Sequence, residues 1–153
     1  MGNIRQFVRE SNLIEGIKRS ETDKEAQVTE VFLRLSVICT DDLWNLVKVY
    51  APGHRLRDVV GLNVRVGRHV APPGGPDIRG GLEVLLEDIS TGVCTDPYLA
   101  HCAYLTLHPF TDGNGRSGRA LWAWHMYKVG RDPFELPFLH RFYYQALEHA
   151  DGR

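Results

Sequence analysis

Apolar residues recur at intervals of three and four along most of the chain, which is the spacing of helices with one buried face. The first 18 residues follow this pattern imperfectly, and we expect Ser11 to interrupt them as a cap. A second helix is expected to begin at Thr22-Asp23, and a third to run from Thr40-Asp41-Asp42 to Pro52-Gly53. The apolar positions that mark these two helices are Val28, Val31, Phe32, Leu35 and Ile38, followed by Leu43, Leu46, Val47 and Tyr50.

The same helical spacing continues through the second half of the chain. Asp96-Pro97 predicts an N-cap followed by a proline in the first turn. A later helix is expected from about Arg116 to Tyr127, stopping near Gly130, and Pro137 is expected to open a last one. The positions that mark the helices of this half are Leu82, Leu85, Leu86 and Ile89; Leu99, Cys102, Ala103 and Thr106; and Phe138, Phe142, Ala146 and Leu147.

Residues 59–71 follow a different period. Leu62, Val64 and Val66 alternate with polar residues, which indicates a strand. Gly67-Arg68 then predicts a turn, and residues 69–71 a returning strand, before a proline- and glycine-rich loop at 72–76. A lone hairpin is barely stable in water, so this one must pack on helices. The sequence therefore predicts an all-α fold, a helical bundle with one short β-hairpin.

The composition indicates a single-domain globular protein, but it does not indicate a function. A length of 153 residues fits one domain, and a net charge of −1 gives no general attraction to nucleic acid or to anionic membranes. Three cysteines without a CxxC pair argue against a disulfide framework and favour a reducing compartment, and we expect Cys39 and Cys102 to be buried. The N-terminus lacks a signal-peptide pattern, and apolar runs fall far short of the roughly 20 residues of a membrane span. We therefore expect a cytoplasmic protein, with neither nucleic acid nor membrane as a partner.

One segment, HPFTDGNGRSGR at residues 108–119, concentrates side chains suited to phosphate chemistry. Two glycines flank an asparagine directly before a helix, so backbone N–H groups can turn inward as an anion nest at a helix N-terminus. Arg116 and Arg119 lie three apart on one side of the first turn, where two cations oppose the helix dipole and call for an anionic partner. Asp112 offers a carboxylate suited to magnesium, and His108 a side chain suited to a general base near neutral pH.

The segment matches the signature HxFx(D/E)GNGRxxR at every fixed position, and the chain thereby resembles a Fic-domain protein. Phe110, at the aromatic position of the signature, is expected to point inward and anchor the loop. The Val64–Ala71 hairpin stands where this family keeps its flap, and residues 142–147 look like its closing helix. The resemblance implies a single Fic domain over residues 1–153, with the core at 22–153 and the flap at about 60–73.

The resemblance also implies an activity, the magnesium-dependent transfer of AMP from ATP to a Ser, Thr or Tyr hydroxyl of a target protein. His108 would deprotonate that hydroxyl, and Asp112 would hold Mg²⁺ between the α- and β-phosphates. Arg116 would bind the diphosphate and Arg119 the γ-phosphate, beside a cradle made of Gly113, Asn114 and Gly115. The target protein would add a strand to the flap, at Val64, Arg65, Val66 and Gly67.

A second motif lies near the N-terminus, where Ser11, Glu15 and Gly16 fit the family's inhibitory pattern (S/T)xxxE(G/N). Ser11 and Glu15 are four apart and therefore share a helix face. The resemblance implies that Glu15 pairs with Arg119 and occupies the γ-phosphate site, so that the helix at residues 1–18 inhibits in cis. The alternative is an ordinary surface helix that ends in a glycine C-cap at Gly16.

The sequence leaves other functions open. A Doc-like phosphotransferase resembles this motif but carries a bulkier residue and a lysine in the GNG stretch, whereas Gly113 and Gly115 here keep the nest open. Removal of AMP from a modified protein would use Glu15 to position a water. A non-catalytic interaction module would show a damaged His108 or Asp112, and neither is damaged. The sequence identifies neither the target nor the preferred nucleotide, and it leaves a homodimer open.

The other histidines and arginines near these motifs are expected to have structural roles rather than catalytic ones. His101 is expected to be a core or capping histidine, while His54 and His69 are expected to be solvated beside the flap. The arginines around the flap are expected to form a solvated rim, with contact to an acidic target as the alternative; they are Arg55, Arg57, Arg65, Arg68 and Arg79. From the start at methionine and the presence of both motifs, we expect a complete small bacterial or phage protein.

Overall fold

The structure is a computed structural model that describes residues 3–134. It contains six helices and one hairpin in these residues: α1 (Ile4–Ile14), α2 (Asp23–Leu33), α3 (Thr40–Tyr50), β1 (Arg65–Val66), β2 (His69–Val70), α4 (Pro76–Ser90), α5 (Pro97–Leu107) and α6 (Asn114–Lys128). The predicted all-α fold with one short hairpin is confirmed. The helix expected from Pro137, and the closing helix at 142–147, lie outside the described residues.

Helix α6 is the element around which the other helices pack. It contacts α1, α2, α3 and α5, and its Ala120, Leu121 and Ala123 are almost completely buried. Gly118 lets α5 approach closely, because a Cβ there would lie only 3.0 Å from Cδ1 of Tyr104. Trp124 packs in the same core and donates its indole N–H to the carbonyl of Leu35 at 2.7 Å. A helix surrounded in this way presents its first turn to the middle of the bundle.

The predicted helix starts rest on local hydrogen bonds. Thr22 caps α2 in a capping box, in which its hydroxyl accepts from the N–H of Glu25 and the Glu25 carboxylate accepts from the N–H of Thr22. Asp96 caps α5 by accepting from the N–H groups of Tyr98 and Leu99. These caps satisfy N–H groups that a helix leaves without partners, which explains why both boundaries were readable in the sequence.

Several details of the sequence interpretation were wrong. Ser11 does not interrupt α1 but lies within it, where its hydroxyl accepts a hydrogen bond from Arg119. Cys39 is exposed and Cys102 half-buried, because Cys39 stands at the N-cap of α3 and Cys102 lies off the buried face of α5. Helix α6 begins at Asn114, two residues before the expected start at Arg116.

The hairpin has two-residue strands, paired Arg65 to Val70 and Val66 to His69. A further hydrogen bond from the N–H of Ala71 to the carbonyl of Val64 extends the pairing to the predicted Val64–Ala71 limits. The Nε2 of His69 lies 2.9 Å from the carbonyl oxygen of Thr106, which attaches the hairpin to the last turn of α5. The hairpin thus packs on a helix, as its small size requires.

Helix α1 is held on the bundle by apolar and ionic contacts. Ile4, Phe7 and Val8 are buried. Arg9 forms a two-pronged ion pair with Glu21, with N···O distances of 3.0 and 3.2 Å. The helix ends in a Schellman arrangement, in which Gly16 has φ 77° and donates to the carbonyl of Leu13. No helix among residues 3–134 is long and apolar enough to cross a membrane.

The Glu25 carboxylate joins the α1–α2 connection to the bundle. It accepts two hydrogen bonds from Arg19, at 2.9 and 3.1 Å, in addition to the N–H of Thr22. Burial alone would raise the pKa of Glu25, but the Arg19 guanidinium and the Thr22 N–H outweigh it and lower that pKa to about 2. The ionised carboxylate is therefore a stabilising group.

We predict that Glu25→Gln lowers the free energy of unfolding at pH 7 by about 1.5–3 kcal/mol, because charge-assisted hydrogen bonds are lost. The folded-state pKa of Glu25, about 2, lies below the ordinary 4.5, so its contribution is present above pH 4.5 and is lost as the pH falls toward about 2. Urea unfolding at several pH values should show the difference between wild type and variant shrinking over that interval. Glu30→Gln is the matched control, since Glu30 forms only an exposed pair with Arg34. A pH-independent difference would contradict the assignment.

Candidate active site

The loop between α5 and α6 is held in shape by the side chain of Asn114. Its Oδ1 accepts from the N–H of Phe110 and its Nδ2 donates to the carbonyl of Phe110, both at 2.8 Å. Phe110, the residue expected to anchor the loop, is fully buried. The Asn114 side chain thus closes the loop on itself, which leaves only its backbone N–H for a ligand.

A neighbouring segment of irregular chain supports this loop from one side. The N–H of Arg57 donates to the carbonyl of Pro109 at 2.8 Å, and the N–H of Thr111 donates to the carbonyl of Arg55 at 2.9 Å. Between these two bonds Leu56 and Phe110 form an antiparallel bridge. The loop is therefore one side of a short two-stranded ribbon, and its backbone has little freedom.

The first turn of α6 presents backbone donors of the kind that suit an anion. Gly113 stands at the N-cap with φ 81°, a left-handed conformation that glycine adopts without strain. The next three N–H groups, of Asn114, Gly115 and Arg116, have no partner within the helix because of helix geometry. A helix N-terminus with such donors favours an anion.

Arg116 brings an unsatisfied guanidinium to this turn. The side chain is buried, and its Nε and Nη1 have no hydrogen-bond partner among the described residues. Its guanidinium carbon lies 5.7 Å from the ring centroid of Tyr50. Burial lowers the pKa of Arg116, partly opposed by the carboxylates of Glu15, Asp112 and Glu25. Buried polar groups are nearly always bonded, so these donors point to a ligand.

Arg119, one turn further along α6, is satisfied by α1. Its Nε donates to the hydroxyl of Ser11 at 2.7 Å, and its Nη2 donates to the carbonyl of Ser11 at 3.0 Å and to Oε1 of Glu15 at 2.7 Å. The Arg119 side chain is 3% exposed and that of Glu15 40%. The structure therefore brings the two motifs of the sequence, 104 residues apart at these side chains, into direct contact.

The Glu15 carboxylate also lies directly on the glycine nest. A Cβ at Gly115 would overlap Oε1 of Glu15. The side chain of Glu15, the C-cap residue of α1, therefore occupies the space above the first turn of α6 that an anionic ligand would enter.

His108 ends α5 in an unusual backbone conformation. It has φ 51° and ψ 62°, and it is the one non-glycine residue with positive φ among residues 3–134. Burial lowers the pKa of its imidazole; a backbone hydrogen bond at Leu105 and the Asp112 carboxylate oppose this, while Arg57 and His69 add to it. His108 is consequently neutral at pH 7, the state in which it can accept a proton.

Asp112 lies at the solvent-facing edge of the loop, with its side chain 62% exposed. Its Oδ1 accepts from the N–H of Gly113 at 2.8 Å, and its Oδ2 lies 3.8 Å from Nε2 of His54. Across residues 3–134, no cluster of three or more His, Cys, Asp or Glu side chains could hold a metal by itself. An exposed carboxylate beside a phosphate cradle does fit Mg²⁺, which commonly binds one or two carboxylates together with substrate phosphates.

The predicted flap residues lie beside this loop. Val64, Arg65, Val66 and Gly67 belong to the hairpin that His69 attaches to α5, and the side chains of Arg65 and Val66 are exposed. His101, expected in the core, is buried, and its Nδ1 lies 2.9 Å from the carbonyl oxygen of Gly118. Burial lowers the pKa of His101 to about 3, so it stays neutral.

The expectation that Arg57 is solvated was wrong, and no pattern in the sequence indicated its burial. Instead of joining a solvated rim, Arg57 is fully buried and donates to four backbone carbonyls. It lies in an irregular segment whose apolar residues follow neither helical nor strand spacing, so the sequence pattern could not predict its burial. His54 is exposed as expected, but its proximity to Asp112 was also not predicted.

The comparison with known families agrees with this geometry. The model of the Fic/DOC family matches residues 29–126, which is more than half of the chain, and the protein therefore belongs to that family. The match begins within α2 and includes Arg119, so α1, which contacts Arg119, lies outside it. No curated protein matches the sequence.

We predict that Gly115→Ala destabilises the wild type by about 1–2 kcal/mol, because the new methyl group displaces Glu15 from its partner Arg119. In a Glu15→Ala background the same change should be neutral, or stabilising by up to about 1 kcal/mol, since alanine favours helix. Chemical denaturation of the four proteins gives the coupling energy.

The control for this cycle is Gly118→Ala, whose methyl group meets Tyr104 rather than α1. Its cost should be the same with and without Glu15. If Gly115→Ala also had equal effects in both backgrounds, the placement of Glu15 on the nest would be wrong.

Proposed function

We propose that the protein is an adenylyltransferase that moves AMP from ATP to a Ser, Thr or Tyr hydroxyl of a target protein, under restraint from α1. Membership of the Fic/DOC family supports a transferase of nucleotide or phosphate groups. The observation that carries the finer proposal is the buried Arg116, whose Nε and Nη1 have no hydrogen-bond partner in the described part of the chain. Arg116 lies in the first turn of α6, directly after the loop that begins with the neutral His108. A polyphosphate satisfies such a site better than any neutral ligand does.

The phosphate chain of ATP would bind along the first turn of α6. The backbone N–H groups at Asn114 and Gly115 would receive phosphate oxygens, and Arg116 would bind the diphosphate. Arg119 is one turn further from the loop and would bind the γ-phosphate once Glu15 has left. This order places the α-phosphate nearest the loop that carries His108.

Asp112 is the residue that would hold Mg²⁺. When bound, the ion supplies charge neutralisation at the α- and β-phosphates. The hydrogen bond from Gly113 to Oδ1 of Asp112 fixes the carboxylate beside the nest. The exposure of Asp112 leaves room for the water ligands that magnesium usually retains.

His108 would act as the general base. Its neutral imidazole takes the proton of the target hydroxyl while the hydroxyl oxygen forms a bond to the α-phosphorus. The bond from that phosphorus to the oxygen bridging the β-phosphate breaks, and pyrophosphate leaves with the electron pair. Most of the acceleration would come from positioning and charge neutralisation by the first turn of α6.

The target protein would dock on the hairpin. A two-stranded sheet leaves backbone donors and acceptors on its outer edges, which an extended segment of another protein can pair with. Residues 65–67 are exposed, and the contact of His69 with Thr106 attaches the hairpin to the last turn of α5, which directly precedes His108. A hydroxyl side chain on the docked segment would then reach His108.

Glu15 would inhibit this reaction by occupying Arg119. A unit charge pair at 4 Å attracts by about 4 kcal/mol at an effective dielectric constant of 20, before desolvation is subtracted. A net stabilisation of about 2 kcal/mol would suppress the active state tens-fold. The two additional hydrogen bonds from Arg119 to Ser11 make the restrained state specific to α1.

We predict that Glu15→Gly raises AMP transfer at least about tenfold over wild type, because Arg119 becomes available to the γ-phosphate. Intact mass after incubation with Mg-ATP would detect self-modification, and Glu15→Gly/His108→Ala is the matched control that should bind ATP without transfer. A gain of one AMP in Glu15→Gly alone supports the proposal. Equal activity of wild type and Glu15→Gly would refute the inhibition.

Other outcomes of the same incubation select other activities. A gain of phosphate instead of AMP would select Doc-like phosphotransfer. Retention of transfer by Glu15→Gly/His108→Ala would show that His108 is not the base. Loss of AMP from a previously modified protein, dependent on Glu15, would select AMP removal.

We predict that AMP transfer by the Glu15→Gly protein loses activity on the acid side only at a pH below the ordinary pKa of histidine. The pKa of His108 lies below its ordinary value of 6.5 because of burial, so the base stays neutral below that pH. The kcat/KM for ATP should therefore fall only as the pH drops through a midpoint below 6.5. A midpoint at or above 6.5 would contradict the buried, neutral His108.

A further inference from the structure

Arg57 is a fully buried arginine whose hydrogen bonds all run to backbone carbonyls. Its Nε donates to the backbone carbonyl of His108 at 2.7 Å, and its Nη2 donates to the backbone carbonyl of Leu107 at 2.8 Å. Its Nη1 donates to Leu62 at 3.0 Å and to Pro72 at 2.8 Å. No salt bridge to Arg57 is found within residues 3–134.

Burying a guanidinium without a carboxylate is unfavourable unless its donors are matched. Desolvation accordingly lowers the pKa of Arg57. An apolar side chain of similar volume would fill the same space without that cost, so packing alone does not explain a cation at this position. What the guanidinium adds is a rigid planar fork that fixes several carbonyls relative to one another.

Two of those carbonyls belong to the end of α5. His108 stands in a left-handed conformation that a non-glycine residue keeps only where its surroundings hold it. The Arg57 fork bonds the carbonyls of Leu107 and His108, and the backbone N–H of Arg57 bonds the next carbonyl, that of Pro109, at 2.8 Å. One residue therefore bonds three successive carbonyls around the turn that aims the imidazole.

The other two carbonyls belong to the two ends of the hairpin segment. Leu62 precedes β1 and Pro72 follows β2, so a single Nη1 joins both ends of the segment. The carbonyl of Arg57 also accepts from the N–H of Gly75, at the start of α4. The hairpin and the histidine turn are consequently attached to the same side chain.

We propose that Arg57 is a positioning residue, which sets the direction of His108 and fixes the base of the target-docking hairpin relative to it. This inference rests on the proposed role of His108 as the base. Arg57 itself would touch neither ATP nor the target. Its effect should therefore fall on the chemical step rather than on nucleotide binding.

The test compares Arg57→Lys and Arg57→Met in the Glu15→Gly background, with Arg55→Met as the matched control. Arg55 is two residues away, and its side chain is exposed and pairs with Asp58, which Arg79 also binds. We expect kcat for AMP transfer to be highest in the parent, lower in Arg57→Lys and lowest in Arg57→Met. The loss in Arg57→Met should be at least about tenfold. The Kd for Mg-ATP should stay within about twofold in both variants, and kcat of the control within about twofold of the parent.

The pH dependence separates positioning from loss of folding. Arg57 contributes to lowering the pKa of His108, so Arg57→Met should move the acid limb of kcat/KM to higher pH, whereas Arg57→Lys should keep it. An unchanged kcat in Arg57→Met, or a loss explained by weaker ATP binding, would overturn the proposal. If Arg57→Met does not fold, Arg57→Lys decides: we expect kcat at least about threefold below the parent at equal Kd, and an equal kcat would overturn the proposal.

A separate readout distinguishes failure of this inference from failure of the proposed function. The His108 imidazole can be titrated by NMR in the same proteins without any turnover. If the Glu15→Gly parent transfers no AMP, the adenylyltransferase proposal fails. The positioning of His108 by Arg57 would still be supported by a raised His108 pKa in Arg57→Met that Arg57→Lys restores, and refuted by an unchanged one.

Discussion

The positive charge of Arg119 is buried in the middle of the bundle, and the rest of the site depends on what neutralises it. In the structure this is α1, through the hydroxyl and carbonyl of Ser11 and the carboxylate of Glu15. Removing the anionic partner of a buried guanidinium is destabilising, so the site favours an anion beside Arg119. In the proposed function, the polyphosphate of a nucleotide and the carboxylate of Glu15 would be alternative partners of this cation, and that competition would couple α1 to activity.

Among the described residues, Arg116 differs from Arg119 in having no carboxylate or hydroxyl bonded to its Nε or Nη1. It lies three residues before Arg119 and is also buried, yet its Nε and Nη1 have no partner within residues 3–134. The ion pairs of Arg9 and Arg19 keep α1 in place, close enough for Glu15 to cover Gly115 but not to reach the donors of Arg116. The restrained protein would thus keep part of its phosphate site formed. Release would require only that Glu15 withdraw from Arg119, without rebuilding the loop that Asn114 closes.

Much of the fold was predictable, because helix starts such as Thr22 and Asp96 are set by capping side chains a few residues away. The grouping of Asp112, Arg116 and Arg119 was readable for the same reason, since they share one loop and the helix turns after it. What escaped prediction depends on contacts between distant segments. Ser11 lies inside α1, and its hydroxyl accepts a hydrogen bond from Arg119, which comes 108 residues later in the chain. Arg57 is buried because four carbonyls from three segments converge on it, and no local pattern records that.

The proposed competition between Glu15 and the γ-phosphate for Arg119 is tested most directly by nucleotide affinity. Calorimetry would give the Kd values of Mg-ATP and Mg-ADP for His108→Ala and for Glu15→Gly/His108→Ala, in which turnover is prevented. We expect removal of Glu15 to tighten ATP binding at least about tenfold, equivalent to about 1.4 kcal/mol, and ADP binding by no more than about twofold. Equal tightening of both nucleotides, or of neither, would show that Glu15 does not hold the place of the γ-phosphate.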